Sequence, residues 1–191
     1  MRILIFLIFS LFCFPIFSQT NKINSNRLDG FRGVPWGVSK DSVRNKENAE
    51  YLQSFKGFGI ESLSYKGEIA GLECRVDYTF RDGKLAEGMY SFKPKELKSD
   101  YLLLYDFIAK SYGKPKYMSG RSINARDVWI KENNYGRFRG PELYWSFSNG
   151  FIALQAARFK EDININIIFA AGKTIEEYGS ENIVPSDNFV R

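Results

Sequence analysis

Ten consecutive positions constrain this chain more than any others. Leu72, Cys74, Val76, Tyr78 and Phe80 alternate with Glu73, Arg75, Asp77, Thr79 and Arg81. An apolar period of two, with charges on the other side, specifies an antiparallel strand with one buried face and one wet face. Asp82-Gly83 follows and suits the two positive φ angles of a type I′ turn, so Lys84–Phe92 should return as the second arm of a hairpin. The segment 78–92, YTFRDGKLAEGMYSF, has a near-copy 67 positions later at 145–159, WSFSNGFIALQAARF. Aligned without gaps, Tyr78 answers to Trp145, Phe80 to Phe147 and Asp82-Gly83 to Asn149-Gly150. Leu85-Ala86 answers to Ile152-Ala153, and Phe92 to Phe159. Two hairpins of one design point to one structural unit used twice.

Other stretches extend the pattern. Leu63, Tyr65, Gly67 and Ile69 share one side of an alternating run over 60–69. Leu97, Tyr101, Leu104, Ile108 and Tyr112 recur at helical spacing with Tyr105 beside them, and Gly113 and Pro115 stop that helix. Ser39 suits a helix cap and Asp41 a first turn, which predicts a short helix over about 40–52. Val128-Trp129-Ile130 reads as a short strand. Strands resume with Leu143, Trp145 and Phe147, return through Ile152, Leu154 and Ala156, and end in Ile163–Phe169; residues 172–179 read as one short helix. The order predicts an α+β protein: an antiparallel β-sheet with two helices packed on one face, built from two similar helix-plus-strands halves, which form either two abutting sheets or, the favoured reading, one continuous curved sheet.

The N-terminus places the chain in a compartment. Arg2 precedes an apolar run from Ile3 to Phe17, broken by Pro15 and closed by Ser18. That is the layout of a secretory signal peptide cut near Ser18; the alternative is an uncleaved membrane anchor, which the run's proline and its length, shorter than the ~20 residues of a spanning helix, disfavour. Lipidation at Cys13 is a further reading, with Leu11 and Phe12 bulky for its recognition motif. The chain therefore divides into a signal peptide (1–18), a flexible leader (19–30), a first helix-plus-hairpin half (31–93), a second (94–171) and a C-terminal tail (172–191). Cleavage leaves Cys74 alone, so the mature monomer has no internal disulfide. Periplasmic or secreted bacterial localisation follows, with no transmembrane span after cleavage.

Charge and missing residue types exclude whole classes of chemistry. The sequence contains no histidine, which removes the commonest general base, the usual Ser-His and Cys-His pairs and the commonest zinc ligand. No metal or cofactor is expected. Ser111-x-x-Lys114 matches an acyl-enzyme motif, but it falls at a helix end and lacks the partner motifs. Gly172-Lys173-Thr174 looks like the end of a phosphate loop whose first glycine is replaced by Ile167. Carboxylate pairs such as Glu176-Glu177 or Asp77 with Glu87 would need a cleft to work as acid and base. Residues 93–160 hold 13 Lys and Arg against 6 Asp and Glu, whereas 161–191 hold 2 against 6. A basic middle of this kind suits an anionic envelope component or an acidic protein, or simply a solvated face. Nucleic acid does not fit an exported chain.

Tyr135-Gly-Arg137-Phe138-Arg139-Gly140 carries the most binding character, with Arg121 and Arg126 upstream, because aromatics interleaved with arginine are enriched at interface hot spots. The same aromatics would equally tuck a loop onto the sheet and leave the arginines in water; both readings stay open.

Phe31-x-Gly33-x-x-Trp36-Gly37-x-Ser39-x-x-x-Val43, with Tyr112-Gly113-Lys114-Pro115 later, resembles a loose group of exported bacterial proteins. In them a Trp-Gly-x-Ser turn precedes a short helix and an aromatic-rich hairpin. The plan of helix plus sheet, used twice, is similar to tandem modules of the β-lactamase-inhibitor-protein type and to small lipoproteins of outer-membrane assembly. The resemblance implies export and brings no catalytic or ligand residue. The sequence thus leads to a non-enzymatic binding or structural protein of the bacterial cell envelope. The alternative is a carboxylate-dependent hydrolase of cell-wall or glycan material, which requires two acids facing across a groove.

Overall fold

Residues 26–119, 137–159, 162–172 and 183–185 are described by a computed structural model of the chain. A short hairpin, β1 (Gly30–Phe31) and β2 (Val34–Pro35), leads into helix α1 (Lys40–Lys46). Four strands follow: β3 (Tyr51–Gly57), β4 (Ile60–Ile69), β5 (Leu72–Arg81) and β6 (Lys84–Phe92). Helix α2 (Leu97–Tyr112) precedes β7 (Tyr117–Ser119), β8 (Arg137–Phe147), β9 (Gly150–Phe159), β10 (Asp162–Ala171) and β11 (Ile183–Pro185). Among the described residues, β3 to β11 form one nine-stranded antiparallel sheet in the order β11-β7-β8-β9-β10-β6-β5-β4-β3. Two four-stranded meanders meet at the β6–β10 seam, where Phe92 lies opposite Ile165 and Glu87 opposite Ala170. The fold is α+β, and the sheet is continuous.

The alternation in β5 does what period two requires. Cys74, Val76, Tyr78 and Phe80 enter one core with Leu63 and Tyr65 of β4, Trp145 of β8, Ile152 and Leu154 of β9, and Ile165 and Ile167 of β10. Both helices cover that same face: Val43 of α1 and Tyr101, Leu104, Tyr105 and Ile108 of α2 belong to it. Gly113, in the left-handed region at φ 77°, ends α2 and returns its N–H to the Ala109 carbonyl at 2.9 Å. Phe31 is the centre of an aromatic cluster, with Tyr78, Tyr90 and Phe169 at ring separations of 5.2, 4.9 and 5.2 Å. A side chain at Gly88 would run into that ring, so the glycine is the socket that lets Phe31 reach the sheet.

Several expectations need correction. α1 stops at Lys46 rather than near 52, and Tyr51–Gly57 is a strand. Helical extension fails because Glu47 turns to extended backbone and its carboxylate is held by groups elsewhere in the fold. The opposite sheet face is not wet throughout: Tyr144, Phe151, Ala153, Ile168 and Ala170 form a second buried cluster there, with Met89 against it. The leader is fixed from Asn26 onward. Leu28 is buried, and the Asn149 side chain grips its backbone, accepting from the N–H at 2.7 Å and donating to the carbonyl at 3.0 Å.

That grip also explains why the paired hairpins of the sequence are not equivalent in the structure. Arg81 pairs with Lys84 around Asp82-Gly83, at φ 50° and 72°. Phe147 instead pairs with Gly150 around Ser148-Asn149, one position earlier than the alignment requires. β5–β6 also closes its meander, whereas β8–β9 is the middle pair of the other. The matched positions share the core face, since Tyr78, Trp145, Leu85 and Ile152 are all buried in it, and that shared face is what the alignment captures. The strand expected at 128–130, the signal segment 1–18 and the helix expected beyond Gly172 lie outside the described residues.

Candidate functional site

Arg121, Arg126 and Tyr135 lie outside the described residues. Arg137, Phe138 and Arg139 open β8, opposite Phe159, Arg158 and Ala157, so from 137 onward the expected loop is strand.

A partly buried ion pair with tyrosine partners links the β1–β2 hairpin to the end of α1. Arg32, itself left-handed at φ 52°, donates from Nε to Glu47 Oε2 at 2.9 Å and from Nη2 to Oε1 at 3.2 Å. Tyr78 donates its hydroxyl to Glu47 Oε2 at 2.5 Å, the Ala49 N–H adds a third partner, and Arg32 lies 5.9 Å from the Tyr90 ring centre. Burial alone pushes the Glu47 carboxyl up, but the hydrogen bonds from Arg32 and Tyr78 outweigh it and hold the pKa below its ordinary value. Burial raises the Tyr78 hydroxyl, helped by Glu47, and pushes Tyr90 up to about 12 and the Cys74 thiol up to about 11. Near neutral pH these groups keep their protons and so offer neither base nor nucleophile. The cluster fastens the N-terminal hairpin and α1 to the sheet.

Of the acids named from the sequence, Glu176 and Glu177 lie outside the described residues, and Asp77 and Glu87 are occupied. Asp77 accepts from the Ser64 hydroxyl at 2.6 Å and from Arg75 Nε at 2.9 Å, and Glu87 lies 3.8 Å from Arg81. Both carboxylates sit on one sheet face, Glu87 opposite Thr79 and thus diagonal to Asp77. Ser111 falls in the last turn of α2, as its motif context predicts. Among the described residues there is no group of three or more side chains able to hold a metal ion.

The β3–β4 hairpin is different in kind. Of the eight large apolar side chains exposed among the described residues, five belong to it: Tyr51, Leu52, Phe55, Phe58 and Ile60. β3 ends the sheet, and six of its seven residues are exposed. Phe58 and Gly59 form its turn at φ 52° and 73°, and Phe58 is 100 % exposed. An aromatic residue is a poor choice for that left-handed position, which the equivalent β5–β6 turn gives to Asp82. Lys56, the one charged residue of β3, is tied to Glu61 at 2.7 Å, and Lys40 of α1 reaches the same carboxylate at 2.6 Å. Those two lysines, Lys40 first, pull the Glu61 carboxyl down to about 2. The residue pattern over 51–57 does not specify a strand. An extra residue, Leu52, slips the register between Tyr51 and Gln53 and breaks the period of two by which strands are recognised. Phe-Lys-Gly-Phe-Gly-Ile was the usable signal, a turn with apolar residues on both sides.

Comparison of the chain with family models, with curated proteins and with solved structures finds no match. No helix among the described residues is long and apolar enough to cross a membrane.

Proposed function

We propose that this chain is an exported, non-enzymatic binding or structural protein of the bacterial cell envelope, and that it binds through the β3–β4 hairpin. One observation carries the reading: an edge strand exposes Tyr51, Leu52 and Phe55, and the turn that follows exposes Phe58 fully at a left-handed position. Sheet edges are ordinarily blunted with charge, proline or cover, because a bare row of backbone donors and acceptors recruits other strands. Here the edge carries a single lysine, Lys56, which shares the Glu61 carboxylate with Lys40. A contiguous apolar patch on such an edge is the mark of an interaction site. The signal-like N-terminus supplies the compartment; the stretch with Arg137, Phe138 and Arg139, together with Arg121, Arg126 and Tyr135, is the competing site named from the sequence, on which this reading does not rest.

Two measurements test this. Mass spectrometry of the chain expressed in a bacterial host should find a mature N-terminus near Gln19 in the envelope fraction; an uncleaved chain in the cytosol overturns export. Pull-down from envelope extracts should recover the same partners with Arg137→Ala/Phe138→Ala/Arg139→Ala as with the unaltered chain, and lose them with Phe55→Ser/Phe58→Ser. Unchanged recovery with both variants overturns the binding reading.

A further inference from the structure

We infer that the sheet face opposite the two helices is a docking surface within the chain, and that its occupant is the segment joining β10 to β11, residues 173–182. Tyr144, Phe151, Ala153, Ile168 and Ala170 stand on that face, with Phe151 0 % and Tyr144 1 % exposed. Glu142, which accepts the Tyr144 hydroxyl at 2.8 Å, is buried beside them. An aromatic ring on an open sheet face keeps one side in water, because its neighbours in the sheet shield only its flanks. Among the described residues, the N-terminal hairpin and both helices lie on the other face, where Phe31, Val34, Val43 and Tyr101 join the main core. The cover over Phe151 and Tyr144 therefore comes from outside the described residues.

The fixed ends of one connection single out the occupant. β10 ends at Ala171, level with Gly150 of β9 and Phe147 of β8, and Gly172 donates its N–H to the Asn149 carbonyl. The chain re-enters the sheet as β11, beyond β9, β8 and β7, with Ile183 opposite Ser119 and so level with Glu142. Strand spacings of about 4.8 Å and the descent along β8 from Phe147 to Glu142 make a diagonal of about 26 Å. That diagonal runs over β9 and β8, where Phe151, Ala153 and Tyr144 stand. The chain from Gly172 to Ile183 reaches about 37 Å when fully extended, so it spans the diagonal with slack. The helix side of the same path is taken by α2: Tyr101 donates to the Leu154 carbonyl, and the Gly113 carbonyl accepts from the Trp145 indole. A path round the end of the sheet and down its edge takes about 36 Å, the whole reach of the chain. It would also arrive in the wrong direction, since β11 runs from the level of Ser119 back to that of Tyr117. Residues 120–136, by contrast, leave β7 and return in the adjacent β8, so their ends oblige no crossing. Within 173–182, KTIEEYGSEN, the two large apolar residues are Ile175 and Tyr178, three positions apart, enough for a small patch; the others suit water.

Paired cysteines in the full chain test this. Ala153→Cys is combined in turn with Ile175→Cys, Tyr178→Cys, Val128→Cys and Ile130→Cys, the variants are oxidised, and linked peptides are identified by mass spectrometry. A disulfide forms only between Cα atoms within about 7 Å, so the product reports which segment lies over Ala153. Cys74 is buried in the opposite core and does not compete. A link within one chain from position 153 to 175 or 178 is expected as the main product. A main product linking 153 to 128 or 130, a link between two chains only, or no link at all overturns the inference. Binding of a fluorescent hydrophobic dye gives a second readout. Ile175→Ser/Tyr178→Ser should raise it several-fold with the far-UV circular dichroism unchanged, and Val128→Ser/Ile130→Ser should not. Dye binding unchanged by the first pair, or raised only by the second, contradicts the assignment.

Discussion

Glu47 shows how one carboxylate organises the N-terminal third of the molecule. It ends α1, receives a two-pronged bond from Arg32 and holds the hydroxyl of Tyr78 across 31 residues of sequence. Its pKa is lowered in the fold, so its contribution is fully present above the ordinary carboxylate value and is lost as pH falls through the folded value. Glu47→Gln keeps the shape and removes the charge. Because Arg32 is partly exposed, the effect is screened, and a loss of about 1 kcal/mol at neutral pH is expected. Urea unfolding should show that gap closing as the pH is taken below 4. A gap that stays constant with pH would mean that the charge of Glu47 does not matter.

At the scale of elements, the β3–β4 hairpin trades stability for display. Phe58 sits where asparagine or aspartate belongs, so Phe58→Asn should stabilise the protein by about 1 kcal/mol, read as a rise in the thermal midpoint, while weakening whatever the tip binds. A lowered midpoint would show that the Phe58 ring is packed rather than displayed. The contrast with β5 and α2 explains what the sequence reveals. Those two elements bury one side, so Val76, Tyr78 and Phe80, and Tyr101, Leu104 and Ile108, print their periods of two and of about 3.6 directly into the residue pattern. β3 buries almost nothing and carries a bulge, so it has no period to print. Distance from the core decides legibility at the turns as well. Asp82-Gly83 makes its own I′ turn as local chemistry dictates, whereas Asn149 is diverted to clamp Leu28, 121 residues away, a contact no local rule foresees. The candidate site suffers most. Arginine and aromatic content marks 121–139 in the sequence, while the exposed edge at 51–60 is identified only by the sheet order.

Among the described residues, α1 precedes β3–β6 and α2 precedes β7–β11, and the two stretches join at β6–β10 into a sheet with very unequal ends. β11 offers three residues at one end and β3 seven at the other. Leu28, Phe31 and Trp36 strap the N-terminal segment across this plan: the Trp36 indole donates to the Leu28 carbonyl at 2.7 Å, and Leu85 exchanges backbone bonds with Gly37 and Val38 at 2.9 Å. The strap and both helices leave β3 bare, which is why function is assigned to that edge rather than to the occupied acids Glu47, Asp77 and Glu87. Hydrogen exchange along Tyr51–Gly57 tests the assignment most directly, comparing the dilute purified chain with the same chain returned to a concentrated envelope extract. Fast exchange in β3 that slows on return, with the central strands unchanged, is the predicted result. Exchange that stays fast in β3 while another surface becomes protected would contradict it.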